Sequence, residues 1–171
     1  MQILALDVAS RMGVAAGAPG ERPRLSAVNL SREFDSHADI FCRALRWVTL
    51  RLSEEPPDLV VLEQPLLKHD SSMLFGLRGV MFAAVCHHGI KWLEVSPPTW
   101  RKYFVGKGHL KGPEAKARAV ALCARLGWGD ALDHNAAEAA GMWLWGCAQV
   151  APREVPRHEP LFLGGQRYGA T

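Results

Sequence analysis

The 171-residue sequence lacks several features that define specialised protein classes. It has only four cysteines and no C-x-x-C pair, which argues against a zinc ribbon or a thioredoxin-like redox motif. No uninterrupted apolar run approaches about 18 residues, so we expect no transmembrane helix. The first residues carry no basic leader before Asp7, which argues against a signal peptide. We therefore expect a cytoplasmic protein with reduced thiols and no membrane association.

The sequence also lacks a strong excess of charge of one sign. Its 20 lysine and arginine residues nearly balance its 17 aspartate and glutamate residues, for a net charge of +3. The basic residues are nevertheless concentrated, because residues 101–118 hold six of them and one acid, a local net charge of +5. A solvated loop and helix face would carry similar charges. Glycines in this segment would let a loop approach phosphates but by themselves indicate only a flexible connector, and it is the lysines that favour nucleic-acid binding. The predicted contacts are Arg101, Lys102, Lys107, Lys111 and Lys116.

Apolar spacing predicts one α/β domain over residues 1–151 and an extended C-terminal tail over residues 152–171. Strands are predicted at residues 3–7, 13–17, 25–30, 58–63 and 90–95, the first two as a hairpin. Helices are predicted at residues 36–52, 72–88, 113–126 and 133–150. Residues 100–105 form a short segment of no assigned type. This order is typical of a five-stranded mixed sheet flanked by helices.

Four acidic residues mark a candidate metal site. Asp7 and Glu63 each end a predicted strand, and the expected strand order allows those two strands to be neighbours. Asp133 and Glu138 lie on the last helix, against a background of Ala, Gly, Met and Trp. Clustered carboxylates can hold two Mg²⁺ ions roughly 4 Å apart for phosphodiester cleavage. Taken singly, each acid is better explained as a solvated strand end or, for Asp133, as a helix cap.

Several short motifs occur along residues 1–150 in an order found in one nuclease family. Residues 6–13 (Leu-Asp-Val-Ala-Ser-Arg-Met-Gly) are similar to a D-P-G-S-x-x-x-G opening, and residues 62–65 (Leu-Glu-Gln-Pro) to a second acidic strand end. The pattern continues at residues 77–79, 94–97, 105–108 with Lys116, and 133–139. It resembles the RuvC-type Holliday junction resolvases, and the shorter phage members more than the cellular enzyme. Val8 and Ala9 replace the family's proline and glycine, and Asn135 and Glu138 stand where D-x-x-D is usual.

The resemblance implies an RNase H-like fold and a metal-dependent endodeoxyribonuclease that resolves four-way DNA junctions. It implies two Mg²⁺ ions per active site, with Mn²⁺ as an alternative metal. A homodimer would make paired, symmetric nicks in recombination and repair, because two identical sites match the twofold symmetry of the junction.

The same resemblance assigns roles to individual residues. The implied metal ligands are Asp7, Glu63 and Glu138, with Asp133 as a fourth and with His134 or Asn135 as weaker alternatives. Lys116 would contact the scissile phosphate, and Arg11 belongs with the DNA-binding residues. The region after Glu63, including Leu66 and Leu67, could place an apolar wedge at the junction centre. Independently of the resemblance, Trp100 flanks the basic segment and is the one of the six tryptophans that we expect to touch DNA.

Other functions stay open on the sequence alone. A non-cleaving protein that binds branched DNA with the same fold would explain the altered acidic pair on the last helix. An actin-like kinase also opens with an acidic strand end, but the chain is too short for its two lobes. A proofreading exonuclease is disfavoured because no D-x-E pair follows the first strand.

Overall fold

One mixed sheet lies at the centre of the fold, in a computed structural model that describes residues 1–64, 71–129 and 133–155. Its strands are β1 (Ile3–Asp7), β2 (Arg11–Gly17), β3 (Arg24–Asn29), β4 (Leu59–Glu63) and β5 (Lys91–Val95). They lie in the order β3-β2-β1-β4-β5. β2 runs antiparallel to β1 and β3, whereas β1, β4 and β5 run parallel to one another. The predicted five-stranded mixed sheet is confirmed.

Helices cover both faces of this sheet: α1 (His37–Glu54), α2 (Ser72–His87), α3 (Pro97–Val105), α4 (Gly112–Arg125) and α5 (His134–Val150). α1 and α2 pack on one face, and α3, α4 and α5 pack on the other. β1 contributes Ile3 and Ala5 to one core and Leu4 and Leu6 to the other, as expected for a strand covered on both sides. Within the described ranges, no helix combines the length and apolar character needed to cross a membrane.

The helix starts follow local capping chemistry. Ser36 and Asp39 form a capping box at the start of α1, in which each side chain accepts from the other residue's backbone N–H. Ser71 accepts from the backbone N–H of Leu74 at the start of α2. Asp133 is the N-cap of α5, as predicted, and accepts from the backbone N–H of Asn135 at 2.9 Å.

The start of α5 lies directly against the β1–β2 hairpin. A Cβ on Gly13 would lie 1.9 Å from the backbone oxygen of Asn135, a distance at which the atoms would overlap. Gly13 is also the residue opposite Asp7 in the β1–β2 pairing. Glycine at this position therefore allows the last helix to approach the end of β1, where Asp7 lies.

α3 includes residues 100–105, for which the sequence predicts no secondary-structure type. Pro97 lies in its first turn, where a proline removes no helical hydrogen bond, and Gly106 ends it with a φ of +84°. Trp100 and Phe104 are fully buried against Gly141 of α5, where a Cβ would lie within 3 Å of both rings. The two prolines at 97 and 98 read as the end of a strand in the sequence, whereas here they begin a helix.

Two of the predictions concern residues outside the described ranges. Leu66 and Leu67, the expected apolar wedge, are among them, and so is the tail from residue 156 onward. Residues 152–154 form a turn, and Val155 packs against the core beneath α3, α4 and α5. The domain boundary after residue 151 stays a prediction.

Candidate active site

Three of the predicted carboxylates meet at one edge of the sheet. β1 and β4 are parallel neighbours with Leu6 paired to Leu62, so the next residues, Asp7 and Glu63, lie side by side. α5 adds Glu138 one turn after its start. Asp7 and Glu138 are buried, and Glu63 is partly buried. The sheet topology thus explains why residues 56 positions apart share one site.

The electrostatics of Asp7 show that these groups act on one another. Burial raises the pKa of Asp7 well above its ordinary value, and the charges of Glu63 and Glu138 raise it further. Lys116 and Arg101 act in the opposite direction and favour the ionised form. The site is therefore a crowded set of buried carboxylates that is partly neutralised by two basic side chains.

Glu63 is held by a tryptophan. The indole Nε1 of Trp100 donates to Oε1 of Glu63 at 2.8 Å. Burial raises the pKa of Glu63, the hydrogen bond from Trp100 lowers it, and the charge of Glu138 raises it again, with a net upward shift. The expectation that Trp100 touches DNA is wrong, because its side chain is fully buried beneath the site.

Glu138 is held by two basic residues. Nη2 of Arg101 donates to Oε1 of Glu138 at 3.1 Å, and Nζ of Lys116 lies 4.0 Å from Oε2. The guanidinium of Arg101 also stacks on Trp100, 5.2 Å from the ring centre. The sequence predicts Arg101 as one of several exposed phosphate-binding residues. In the structure only 19% of its side chain is exposed. The structure places it inside the carboxylate site.

Asp133 has different partners from the other three acids. It caps α5 and accepts from Nε of Arg11 at 2.7 Å, and the Arg11 side chain remains 54% exposed. Burial raises the pKa of Asp133, but the hydrogen bonds from Arg11 and from the backbone of Asn135 lower it by more, so the net shift is downward. A role for Asp133 as a fourth metal ligand stays a prediction. Asn135, one turn before Glu138, is buried, whereas His134 is exposed.

The remaining predicted phosphate contacts lie on the surface of α3 and of the loop that follows it. Lys102 is exposed on α3, and Lys107 and Lys111 are exposed in the loop between α3 and α4. The loop is held close to α3, because a Cβ on Gly108 would lie 2.8 Å from the backbone oxygen of Pro98. These lysines are therefore accessible to a ligand at the surface.

The chemistry of the site fits a hard divalent cation, although the carboxylates are not arranged as a ready ligand set. Carboxylate oxygens are the ligands that Mg²⁺ and Mn²⁺ prefer, and a cation would relieve the repulsion that raises the pKa of Asp7. Among the described residues, no three His, Cys, Asp or Glu side chains are placed to hold one ion together. Glu63 and Glu138 instead bond to Trp100 and Arg101.

The fold is similar to that of solved Holliday junction resolvases. Thermus thermophilus RuvC matches with a TM-score of 0.67 and 16% sequence identity, over 84% of this chain and 91% of its own. T. thermophilus RuvC in complex with Holliday junction substrate gives a TM-score of 0.66, 17% identity, and coverage of 84% and 90%. The yeast mitochondrial Holliday junction resolvase Ydc2 gives a TM-score of 0.53, 12% identity, and coverage of 82% and 75%.

Sequence comparison adds nothing to this structural likeness. No protein-family model matches the chain, and no curated protein matches it. Identities of 12–17% show a shared fold. The RuvC-like, RNase H-type fold that the sequence motifs predict is confirmed.

Proposed function

We propose that this protein is a metal-dependent endodeoxyribonuclease that resolves four-way DNA junctions. The observation that carries the proposal is the meeting of Asp7, Glu63 and Glu138 at one edge of a RuvC-like sheet. A solved relative in fold, T. thermophilus RuvC, is bound to Holliday junction substrate, which supports branched DNA as the ligand. Acting in the cytoplasm, the protein would process recombination and repair intermediates.

The three carboxylates would hold the metal, with Mg²⁺ or Mn²⁺ as the ion and Asp133 as a fourth ligand. When two such ions are bound, they supply an activated water and stabilise the leaving oxygen of the phosphodiester. Trp100 orients Glu63 through its indole hydrogen bond. Lys116, which is 40% exposed and lies beside Glu138, brings a positive charge to the scissile phosphate. His134 and Asn135 are weaker candidates for orienting the attacking water.

Basic side chains around the edge would hold the DNA backbone. Lys102 is exposed on α3, Lys107 and Lys111 are exposed in the loop that follows it, and Arg11 is exposed next to the start of α5. Contacts of this kind release counterions and read no base sequence. Binding should therefore weaken steeply as salt increases.

A homodimer would give the paired nicks that resolution requires. α2 has an exposed apolar face that suits a twofold contact, with residues spaced four, four and three positions apart: Phe75, Gly79, Ala83 and Cys86. Gly79 leaves open space above the helix, since an added Cβ would contact nothing within 4 Å. A second copy of α2 could approach closely at that point.

The test is strand cleavage of an end-labelled four-way junction and of the matching linear duplex, each with Mg²⁺, Mn²⁺ or EDTA. We expect metal-dependent nicks in the junction at rates at least about tenfold above the duplex. Equal rates on both substrates would contradict junction selectivity. Absence of cleavage of either substrate would contradict the nuclease assignment.

A non-cleaving protein that binds branched DNA is the second candidate. The observation that favours it is the ion pair between Arg101 and Glu138, which occupies a carboxylate that cleavage requires. Asn135 also replaces an acid at the start of the last helix. A junction that is bound tightly but stays uncut with both Mg²⁺ and Mn²⁺ would favour this function.

A further inference from the structure

Arg101 brings a positive charge into the carboxylate site. Its Nη2 is 3.1 Å from Oε1 of Glu138, and its guanidinium stacks on Trp100. It is also one of the two cationic groups that counter the burial and repulsion at Asp7, with Lys116 the other. In this arrangement a guanidinium does the electrostatic work that a divalent cation would do.

The hydrogen bonding of Arg101 is incomplete. Its Nε is buried and has no hydrogen-bond partner among the described residues. A buried N–H without a partner is unfavourable, so this position is not the best that a guanidinium can reach. Arg101 also lines a cavity of about 120 Å³ together with Val8, Glu63 and Gln64, which leaves open space beside the guanidinium.

A phosphate would satisfy Arg101 better than Glu138 does. A guanidinium offers five N–H donors in a planar fork that matches two phosphate oxygens. Here one of its bonds reaches one oxygen of Glu138. The exposed Lys102 on the same helix and the basic loop that follows would bring the DNA backbone to this edge.

We propose that Arg101 is a positioning residue that competes with the divalent metal for Glu138 and leaves Glu138 when DNA phosphate arrives. This inference rests on the proposed metal-dependent function and names how its site is regulated. The metal-free protein keeps Glu138 paired with Arg101, which weakens metal binding. DNA draws Arg101 away and frees the carboxylate, so DNA and metal each strengthen the binding of the other.

Lys116 provides a matched control for the general effect of charge. It also lies next to Glu138, at 4.0 Å from Oε2, but it makes no close hydrogen bond there and is more exposed than Arg101. If only the positive field of the site repelled the metal, R101M and K116M would change metal affinity equally. If Arg101 must be displaced from Glu138, R101M would change it more.

The experiment is calorimetric titration of the full chain with Mn²⁺ in the absence of DNA, for wild type, R101M, R101Q and K116M. We expect R101M and R101Q to bind Mn²⁺ about tenfold more tightly than wild type, and K116M to gain less than about threefold. R101Q removes the same charge with a polar side chain, so agreement between R101Q and R101M shows that the effect does not come from altered packing in R101M. A thermal melt of each variant checks that it folds. Equal gains in R101M and K116M, or no gain in the Arg101 variants, would overturn the inference.

A second readout follows Arg101 itself. In ¹⁵N spectra of the arginine side chains, assigned with R101M, the buried Nε–H of Arg101 should shift or exchange faster when saturating diamagnetic Mg²⁺ is added to the metal-free protein. An Arg101 signal that is unchanged at saturating Mg²⁺ would show that the guanidinium stays in place. Failure of all four proteins to bind metal, with or without junction DNA, would instead overturn the proposed function together with this inference.

Discussion

Trp100 donates its indole N–H to Oε1 of Glu63 at 2.8 Å, across 37 positions of sequence. The bond links the first half of α3 to the end of β4, and the stack of Arg101 on the same indole extends the link to Glu138. One fully buried side chain thereby contacts, directly or through Arg101, two of the three clustered carboxylates. The packing of α3 against α5 is therefore part of what positions the site.

Removal of this hydrogen bond should affect cleavage more than stability. In W100F a smaller aromatic ring remains in the core, and Glu63 loses a donor. A hydrogen bond to a charged group contributes about 1.5 kcal/mol or more, so we expect junction cleavage to fall about tenfold. The measurement is the single-turnover cleavage rate of W100F with saturating metal.

W143F is the matched control for this prediction. Trp143 is also fully buried, and its Nε1 donates to the backbone oxygen of Gly17 at 3.2 Å, away from the carboxylates. W143F should lose a similar amount of thermal stability while its cleavage rate stays within about twofold of wild type. Equal losses of cleavage in both variants would indicate that W100F acts through general destabilisation.

Substitution of Asp7 by asparagine should abolish cleavage and stabilise the metal-free protein. Burial, together with Glu63 and Glu138, raises the pKa of Asp7. An acid whose pKa is raised by folding contributes stability that is full below its unfolded-state pKa and is lost as pH rises through its folded-state pKa. D7N removes this pH-dependent loss of folding stability. It also removes a charged metal ligand, so cleavage should fall about a thousandfold or more.

Thermal melts in EDTA at about pH 4 and about pH 8 test the stability half of that prediction. D7N should melt at a higher temperature than wild type at the upper pH, and the gap should narrow at the lower pH. Because Asn has nearly the shape of Asp, a lower melting temperature for D7N at both pH values would contradict the description of Asp7 as a repelled, buried charge.

The two roles considered for Asp133 can be separated by two substitutions. D133N keeps a side-chain oxygen that can cap α5, whereas D133A removes it. We expect D133A to lose about 1 kcal/mol of folding stability and D133N to lose less than half of that. D133N keeps the cap but removes the charge of the proposed fourth ligand, so we expect its cleavage rate to fall about tenfold or more. A loss of less than about tenfold would limit Asp133 to capping α5 and pairing with Arg11.

The exposed face of α2 gives a prediction about oligomeric state. A glutamate at Ala83 would bury a charge in the proposed twofold contact. A83E should therefore sediment as a monomer under conditions where wild type is a dimer. A121E places the same charge on an exposed position of α4 and should remain dimeric. Analytical ultracentrifugation measures both. A dimeric A83E would place the dimer contact elsewhere on the molecule.

Much of this architecture could be predicted from the sequence, because each of the relevant signals is local. The apolar runs that end in Asp7 and Glu63 predicted two strand ends, and the polar start of an apolar helix predicted Asp133 as its cap. General rules of strand order allowed β1 and β4 to be neighbours, and the structure pairs them.

The contacts that arrange the site were not predictable in the same way. Trp100 and Arg101 lie on α3, and the two prolines at its start are more typical of a strand end than of a helix. Each of these two residues contacts a carboxylate 37 positions away. Their neighbours Lys102 and Lys107 are exposed and basic, so Arg101 looked like one more surface charge. Only the packing of α3 against α5 shows that Arg101 reaches Glu138 in the carboxylate site.

Paired incision distinguishes the resolution of a junction from a single nick and from binding alone. It is measured most directly on a supercoiled plasmid that extrudes a cruciform, with Mg²⁺ and with D7N as the inactive control. Two coordinated nicks across the junction convert the plasmid to linear DNA, so we expect linear product from wild type and none from D7N. Accumulation of nicked circles alone, or a plasmid that is bound and left intact, would contradict junction resolution by this protein.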